Sequence, residues 1–228
     1  MTLFYGKKLA IDQPTQGYKI SVDSILLAAC INQGHTVLDV GAGVGATSLC
    51  LMKRNSCFDV TGIELQKINV EHAIKNADCN HLSIKFLEGD ILNYKLKKKF
   101  DHVMSNPPFY EDNKINEPMN EHKRLSNVLK NITLHQWLEF CIQHSNDYVT
   151  IIHLPEYLEK ILIIFSQSLK GIRIYPIFVN NQAKRIIVQG SKKNKSSLIL
   201  YSGLILRDQF GYTKEAVDIL ENTKGIHL

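Results

Sequence analysis

Short apolar runs alternate with longer amphipathic segments through the first two thirds of the chain. The short runs predict five strands, over residues 36–40, 58–63, 82–87, 100–104 and 148–153. Segments with helical periodicity predict four helices, over residues 45–53, 67–79, 134–144 and 156–169. This alternation is typical of a parallel sheet covered by crossover helices. We therefore expect an α/β protein with helices on both faces of the sheet.

The alternation ends after residue 171, where apolar runs follow one another with only turn-like separators. The runs cover residues 173–179, 185–189 and 197–205. Successive strands joined by short polar turns pair in the antiparallel sense. The sequence thus predicts a mostly parallel sheet with an antiparallel end.

A glycine-rich turn links the first predicted strand to the first predicted helix. Residues 39–45 read Asp-Val-Gly-Ala-Gly-Val-Gly. Glycine lets the backbone approach a ligand closely, and the N-terminus of the next helix faces that ligand. A dinucleotide-binding loop has its third glycine where this chain has Ala46. The spacing favours S-adenosylmethionine over NAD.

Acidic residues follow the next two predicted strands. Glu64 comes after the second strand, about 20 residues past the glycine loop, where a carboxylate can accept hydrogen bonds from ribose hydroxyls. Asp90 follows the third strand, where it can accept a hydrogen bond from an adenine amino group. The carboxyl ends of parallel strands share one edge of a sheet, so we expect one site that contains both acids and the loop.

The fourth predicted strand is followed by Asn106-Pro107-Pro108-Phe109. The prolines remove two backbone donors and fix φ, which leaves the Asn106 side chain and the Pro107 carbonyl as rigid acceptors. Two acceptors on an exocyclic amino group would draw its nitrogen toward tetrahedral geometry and free its lone pair. Phe109 would stack on the target base. The position after the fourth strand favours amine methylation, without a metal, over a plain proline loop.

These motifs resemble those of class I S-adenosylmethionine-dependent methyltransferases, whose amino-methylating members carry Asn or Asp-Pro-Pro-Tyr or Phe. Residues 17–28, 183–188 and 211–216 are also similar to segments of the bacterial enzymes that methylate N6 of adenosine 37 in a valine tRNA. The resemblance implies a Rossmann-like fold with a mostly parallel seven-stranded sheet. It also implies one methyltransferase domain over residues 1–228, with residues 1–35 packed on the cofactor site.

The same resemblance implies S-adenosylmethionine as cofactor, tRNA as substrate and a set of site residues. The expected cofactor-binding residues are Asp23, Asp39, Gly41, Gly43, Glu64 and Asp90. The expected catalytic residues are Asn106, Pro107 and Phe109. Asp23 fits the N-cap of a helix over residues 24–30 equally well.

Charge permits a nucleic-acid partner without requiring one. Lys and Arg outnumber Asp and Glu by 27 to 22, and the pI is about 8.8. The candidate phosphate contacts are Lys184, Arg185, the Lys192–Lys195 turn, and His122, Lys123 and Arg124.

The apolar stretches are too short to span a bilayer, and the N-terminus lacks the apolar region of a signal peptide. The five cysteines are scattered without a C-x-x-C pair, which indicates buried free thiols and no metal. We expect a soluble cytoplasmic protein with no membrane contact, and the sequence leaves its oligomeric state open.

Three other functions remain compatible with the sequence. The same tetrapeptide serves enzymes that methylate the glutamine amide of a protein, but we expect no added N-terminal helical domain in a chain this small, which argues against that function. It also serves other nucleic-acid amino-methyltransferases that act on guanine N2 of rRNA or adenine N6 of DNA. A third possibility is a binding module that keeps the fold without turnover.

Overall fold

The predicted alternation of strands and helices is present in the computed structural model, which describes residues 1–15, 19–108 and 132–228. Phe109, the candidate phosphate contacts at 122–124, and residues 17 and 18 of the N-terminal motif lie outside the described residues.

The secondary structure of the described residues follows the predicted order. The strands are β1 (Thr2–Phe4), β2 (Leu9–Ile11), β3 (Thr36–Val40), β4 (Asp59–Glu64), β5 (Lys85–Glu88), β6 (Phe100–Ser105), β7 (Ser145–His153), β8 (Lys170–Val179), β9 (Gln182–Ser191), β10 (Ile199–Leu200), β11 (Leu204–Asp208) and β12 (Gly211–Tyr212). The helices are α1 (Val22–Ala29), α2 (Ala46–Arg54), α3 (Lys67–Cys79), α4 (Leu134–His144), α5 (Leu158–Ser168) and α6 (Lys214–Leu220). The five parallel strands and four helices predicted from the sequence are confirmed, with small shifts at their ends.

The main sheet has ten strands in the described chain, in the order β12-β11-β8-β9-β7-β6-β3-β4-β5, with β10 also paired to β8. Strands β5, β4, β3, β6 and β7 are parallel to one another. Strand β9 is antiparallel to both of its neighbours, β7 and β8. The expected mostly parallel sheet with an antiparallel end is confirmed in the seven strands from β5 to β8, and β10, β11 and β12 extend it.

The prediction of a single antiparallel strand over residues 197–205 is wrong. That stretch forms two short strands, β10 and β11, on either side of Gly203, whose φ is +79° and whose Cβ, if present, would lie 2.2 Å from the Pro176 carbonyl oxygen. Both strands pair with β8 in the parallel sense. The reason is that β7 and β8 occupy both edges of β9, so the chain that turns back after β9 must pair on the far side of β8.

Helices cover both faces of the sheet, as predicted. Helices α1, α2, α3 and α6 contribute to one buried apolar cluster, and α4 and α5 contribute to the other. All five cysteines are free thiols, but Cys57 and Cys79 are exposed, contrary to expectation. Within the described ranges, no helix is long and apolar enough to cross a membrane.

The N-terminal segment is held on the face of the sheet that carries α2 and α3. Strands β1 and β2 form a separate antiparallel pair. The buried Asn76 side chain of α3 accepts a hydrogen bond from Asp12 N at 2.8 Å and donates to the Asp12 carbonyl at 2.8 Å. The same amide donates to the Val44 carbonyl at 3.0 Å. Asn76 therefore joins the N-terminal segment to the glycine loop.

Candidate active site

A cavity of about 340 Å³ lies at the carboxyl ends of β3, β4, β5 and β6. Its described lining comes from the loops that follow these strands and from α3 and α4. The lining residues are Gly41, Gly43, Ile63, Glu64, Leu65, Gln66, Asn69, Gly89, Asp90, Ile91, Asn106, Pro107, Pro108, Ile132 and Trp137. Open α/β sheets bind their ligands at this edge.

The glycine loop is shaped by close packing at one position and by open space at another. Gly41 has φ +74°, and a Cβ there would lie 2.8 Å from the Trp137 ring. Gly43 has φ +55°, and no heavy atom of the described residues beyond its chain neighbours lies within 4 Å of the place where its Cβ would stand. A side chain at Gly41 would therefore displace Trp137, whereas the backbone at Gly43 is open to a ligand.

Glu64 connects the end of β4 to the glycine loop. Its Oε2 accepts a hydrogen bond from Gly43 N at 2.9 Å, and its Oε1 accepts one from Gln66 N at 2.9 Å. The Asn69 side chain lies at 3.4 Å from Oε1. An ionised carboxylate has about four acceptor positions, so this half-buried group keeps capacity for ligand hydroxyls.

Asp90 lines the cavity and stabilises the turn after β5. Its Oδ1 accepts a hydrogen bond from Leu92 N, and its Oδ2 accepts one from the Asn93 side chain, both at 3.0 Å. The preceding Gly89 N donates to the Glu64 carbonyl at 2.9 Å. These hydrogen bonds fix the Asp90 carboxylate beside the end of β4.

Asn106 and Pro107 enter the same cavity from the end of β6. The preceding Ser105 donates its hydroxyl to the Val40 carbonyl at 2.7 Å and accepts from Trp137 Nε1 at 2.9 Å. Trp137 is absent from the residues expected from the sequence, because it falls on the buried face of α4 with Leu138. The only sequence signal for its role is its indole N–H, which needs a partner when buried.

Asp39 is not among the described residues that line the cavity. It is 2% exposed, and its Oδ2 accepts a hydrogen bond from Ser48 Oγ at 2.7 Å. Burial raises the pKa of Asp39 to about 7, and the nearby negative charge of Glu64 adds to that effect. The structure places Asp39 within β3, two residues before the start of the glycine loop at Gly41.

Asp23 is likewise not among the described lining residues. Ser21 is the N-cap of α1, with its side chain accepting from Asp23 N, so the N-cap interpretation of Asp23 is wrong. The buried Asp23 carboxylate accepts a hydrogen bond from Arg185 Nε at 2.9 Å. The structure thus brings together six of the expected residues: Gly41, Gly43, Glu64, Asp90, Asn106 and Pro107.

In the described ranges, no group of three or more His, Cys, Asp or Glu side chains could hold a metal ion. The arrangement instead offers open backbone, two carboxylates and a pair of fixed acceptors around one cavity. Such groups can bind a nucleoside and an amino group without a metal.

Residues 18–128 match the methyltransferase small domain family. The chain is 30% identical over 117 residues to a protein of a Flavobacteriaceae bacterium named tRNA1(Val) (adenine(37)-N6)-methyltransferase, a match that covers 50% of this chain and 51% of that relative. A Flavobacterium johnsoniae protein with the same name is 24% identical over 247 residues, with 99% of each chain covered. The local match thus spans about half of the first relative, while the weaker similarity spans the second almost completely.

A solved structure with a similar fold is that of a predicted O-methyltransferase from Agrobacterium tumefaciens. The TM-score is 0.71 at 20% identity, with 90% of this chain and 99% of that chain covered. At this identity the likeness shows the fold alone. The fold is that of the class I methyltransferases, as the sequence motifs predicted.

The raised pKa of Asp39 predicts a specific pH dependence of stability. Between pH 3.8 and about 7, folded Asp39 holds a proton that the unfolded chain has lost, so wild-type stability falls as the pH rises. Asn at this position carries no titrating proton. The free energy of unfolding of Asp39→Asn, relative to wild type, should therefore rise by roughly 2–4 kcal/mol from pH 4 to about pH 8 and stay level above that.

Urea unfolding at several pH values measures this difference. The matched control is Asp101→Asn, because hydrogen bonds from Thr36 N and His35 N lower the pKa of Asp101 to about 2. That variant should show no such rise between pH 4 and pH 7. A pH-independent difference for Asp39→Asn would contradict the prediction.

Proposed function

We propose that the chain is a class I S-adenosylmethionine-dependent methyltransferase that methylates N6 of an adenine in tRNA, on the basis of its match to the methyltransferase small domain family over residues 18–128 and of its fold. The proposed nucleotide is adenosine 37 of a valine tRNA, the substrate that the names of its relatives give. A tRNA substrate also implies a cytoplasmic location.

The main observation in support of the proposal is that two groups of residues line the same cavity. Gly41, Gly43 and Glu64 come from the β3 and β4 ends, and Asn106 and Pro107 come from the β6 end. The first group suits a nucleoside-containing methyl donor, and the second suits a planar amine. Both groups line the same 340 Å³ space, so donor and acceptor would be held side by side.

The cavity fits S-adenosylmethionine. The open backbone at Gly43 leaves room for close approach, Glu64 has free acceptor capacity for ribose hydroxyls, and Asp90 is fixed where it can accept from an adenine amino group. When bound, S-adenosylmethionine supplies an electrophilic methyl group. The proposed roles of Glu64 and Asp90 are therefore to bind and orient the donor.

Asn106 and Pro107 have a different proposed role. The Asn106 Oδ1 and the Pro107 carbonyl would each accept one hydrogen of the target amino group, which localises the lone pair on that nitrogen. An adenine must leave its stacked position in RNA to reach these acceptors. Phe109, the proposed stacking partner of the flipped base, lies outside the described residues.

An acceptor assay tests the proposed function. Purified protein is incubated with methyl-labelled S-adenosylmethionine and, separately, with tRNA, rRNA, DNA or cell protein. We expect label in tRNA, with N6-methyladenosine after nuclease digestion, and loss of label when adenosine 37 of the valine tRNA is replaced by guanosine. Label confined to a protein glutamine, to rRNA guanine or to DNA adenine would overturn the proposal.

Glu64→Ala should weaken S-adenosylmethionine binding by about 1.5–3 kcal/mol, the range for hydrogen bonds to a charged group. Calorimetric titration measures the dissociation constant. The matched control is Glu88→Ala, because Glu88 pairs with Glu64 in the sheet register but is exposed and does not line the cavity. Equal affinity in the two variants would remove Glu64 from the proposed binding site.

Asn106→Ala should lower the rate of methyl transfer by about 10²–10³-fold, the effect of removing one fixed polar group at a reacting centre. The affinity for S-adenosylmethionine should stay near that of wild type. Asn106→Asp keeps an acceptor oxygen and should retain more activity than Asn106→Ala in single-turnover assays. Full activity of Asn106→Ala would exclude the proposed acceptor pair.

A further inference from the structure

The hairpin formed by β11 and β12 exposes an aromatic side chain at its tip. Phe210 is 89% exposed, and its backbone N–H donates to Asp208 Oδ1 at 2.8 Å, which fixes the turn. The Arg207 guanidinium lies over the Tyr212 ring, 4.0 Å from its centroid. The turn therefore holds this aromatic ring in water, where it is accessible to a binding partner.

The topology puts this hairpin at the same edge of the sheet as the cavity. Strand β8 runs parallel to β7, because both are antiparallel to β9. Strand β11 runs parallel to β8, and Arg207 pairs with Val179 at the carboxyl end of β8. Asn180 N in the β8–β9 turn donates to the Arg207 carbonyl at 2.8 Å. The hairpin and that turn therefore form one continuous surface beside the cavity edge.

The exposed side chains of this surface combine positive charge with aromatic rings. We define the hairpin surface as Lys184, Arg207, Phe210, Tyr212 and Lys214. Basic groups contact RNA phosphates, and aromatic rings stack on unpaired bases.

The charged residues next to the hairpin surface leave its basic side chains accessible beside the aromatic rings. Arg185 Nε donates a hydrogen bond to the Asp23 carboxylate, and the Asp208 carboxylate accepts a hydrogen bond from the Phe210 backbone N–H in the turn. The exposed Glu215 beside Lys214 is an acidic neighbour on the same surface. The three basic members of the hairpin surface therefore stay exposed to a polyanion, with a modest positive excess.

A second basic cluster lies at the opposite edge of the sheet. The Lys192–Lys195 turn follows the end of β9, which is next to the start of β7. Lys192 Nζ donates to the carbonyls of Ile142 and Ser145 at 2.6 and 2.7 Å. Charge density alone would favour this turn as an RNA contact. However, the Lys192 ammonium group is already hydrogen-bonded to backbone carbonyls, and the turn lies at the edge of the sheet opposite the cavity.

We propose that the hairpin surface binds the RNA substrate at nucleotides distant from the target base, with Phe210 stacked on an unpaired base. The inference rests on the proposed function. Five strand spacings of about 4.8 Å separate β6, which bears Asn106, from β12, so the two contacts lie roughly 24 Å apart. The hairpin therefore contributes to the affinity for the whole tRNA and takes no part in the chemistry at N6.

Two pairs of variants test the surface by tRNA binding and by steady-state methylation. Phe210→Ala should weaken tRNA binding roughly 5- to 150-fold, the loss expected for one stacked base, with kcat at saturating tRNA unchanged. Phe210→Tyr keeps a stacking ring and should bind like wild type. The exposure of Phe210 means that neither change should alter thermal unfolding.

The charge test compares Lys184→Ala/Lys214→Ala with Lys193→Ala/Lys195→Ala, two variants that each remove two exposed lysines. The first should reduce the slope of log K against log salt by about 1.4–1.8, if each lysine contacts one phosphate. The second should leave the slope unchanged. The affinity for S-adenosylmethionine should be the same in both.

The outcomes separate the inference from the proposed function. If wild-type protein neither binds nor methylates tRNA, the proposed function fails. If wild type methylates tRNA but Phe210→Ala and the Lys184/Lys214 variant behave like their controls, only the hairpin surface is excluded. If Phe210→Ala abolishes self-association in sedimentation while tRNA binding persists, the hairpin joins copies of the chain, and the inference is overturned.

Discussion

Two consecutive residues at the end of β4 hold the loops that surround the cavity. The Ile63 carbonyl accepts hydrogen bonds from both Gly41 N and Ala42 N, at 2.9 and 3.0 Å. The Glu64 carboxylate accepts from Gly43 N, and its carbonyl accepts from Gly89 N. The ends of β3, β4 and β5 are thereby fixed relative to one another before any ligand binds. A binding site held in this way loses little conformational entropy when it is filled.

The other side of the cavity depends on one aromatic side chain. Trp137 packs against Gly41 so closely that no Cβ fits between them, and its Nε1 donates to Ser105 Oγ. Ser105 in turn donates to the Val40 carbonyl, which links α4 to the ends of both β6 and β3. Asn106 follows directly after Ser105. The indole therefore sets the distance between the glycine loop and the acceptor pair, although it belongs to neither motif.

The sequence predicted the parallel half of the fold well because strand and helix periodicities differ clearly there. The sequence-based prediction failed at residues 197–205, because a local apolar run contains no information that β7 and β8 already occupy both edges of β9. The same limit applies within the site. Glu64 and Asp90 were placed correctly at the sheet edge, but burial of Asp39 against Ser48 depends on the packing of α2 on β3. Trp137 lies far from the motifs in sequence, so only the fold brings it to the cavity.

The extension of the sheet beyond β8 has a consequence for how this architecture can diverge. Every described residue that lines the cavity lies between residues 41 and 137, whereas β10, β11 and β12 begin at residue 199. Among residues 1–15, 19–108 and 132–228, none of the hydrogen bonds described above for the cavity loops involves those last strands. Substitutions at the exposed positions of these strands can therefore accumulate over evolutionary time without disturbing the pocket, whereas the buried Leu204 and Leu206 of β11 belong to the same apolar cluster as Ala42 and Val44 of the glycine loop. Descendants of one such gene can acquire different outer surfaces while they inherit the same interior.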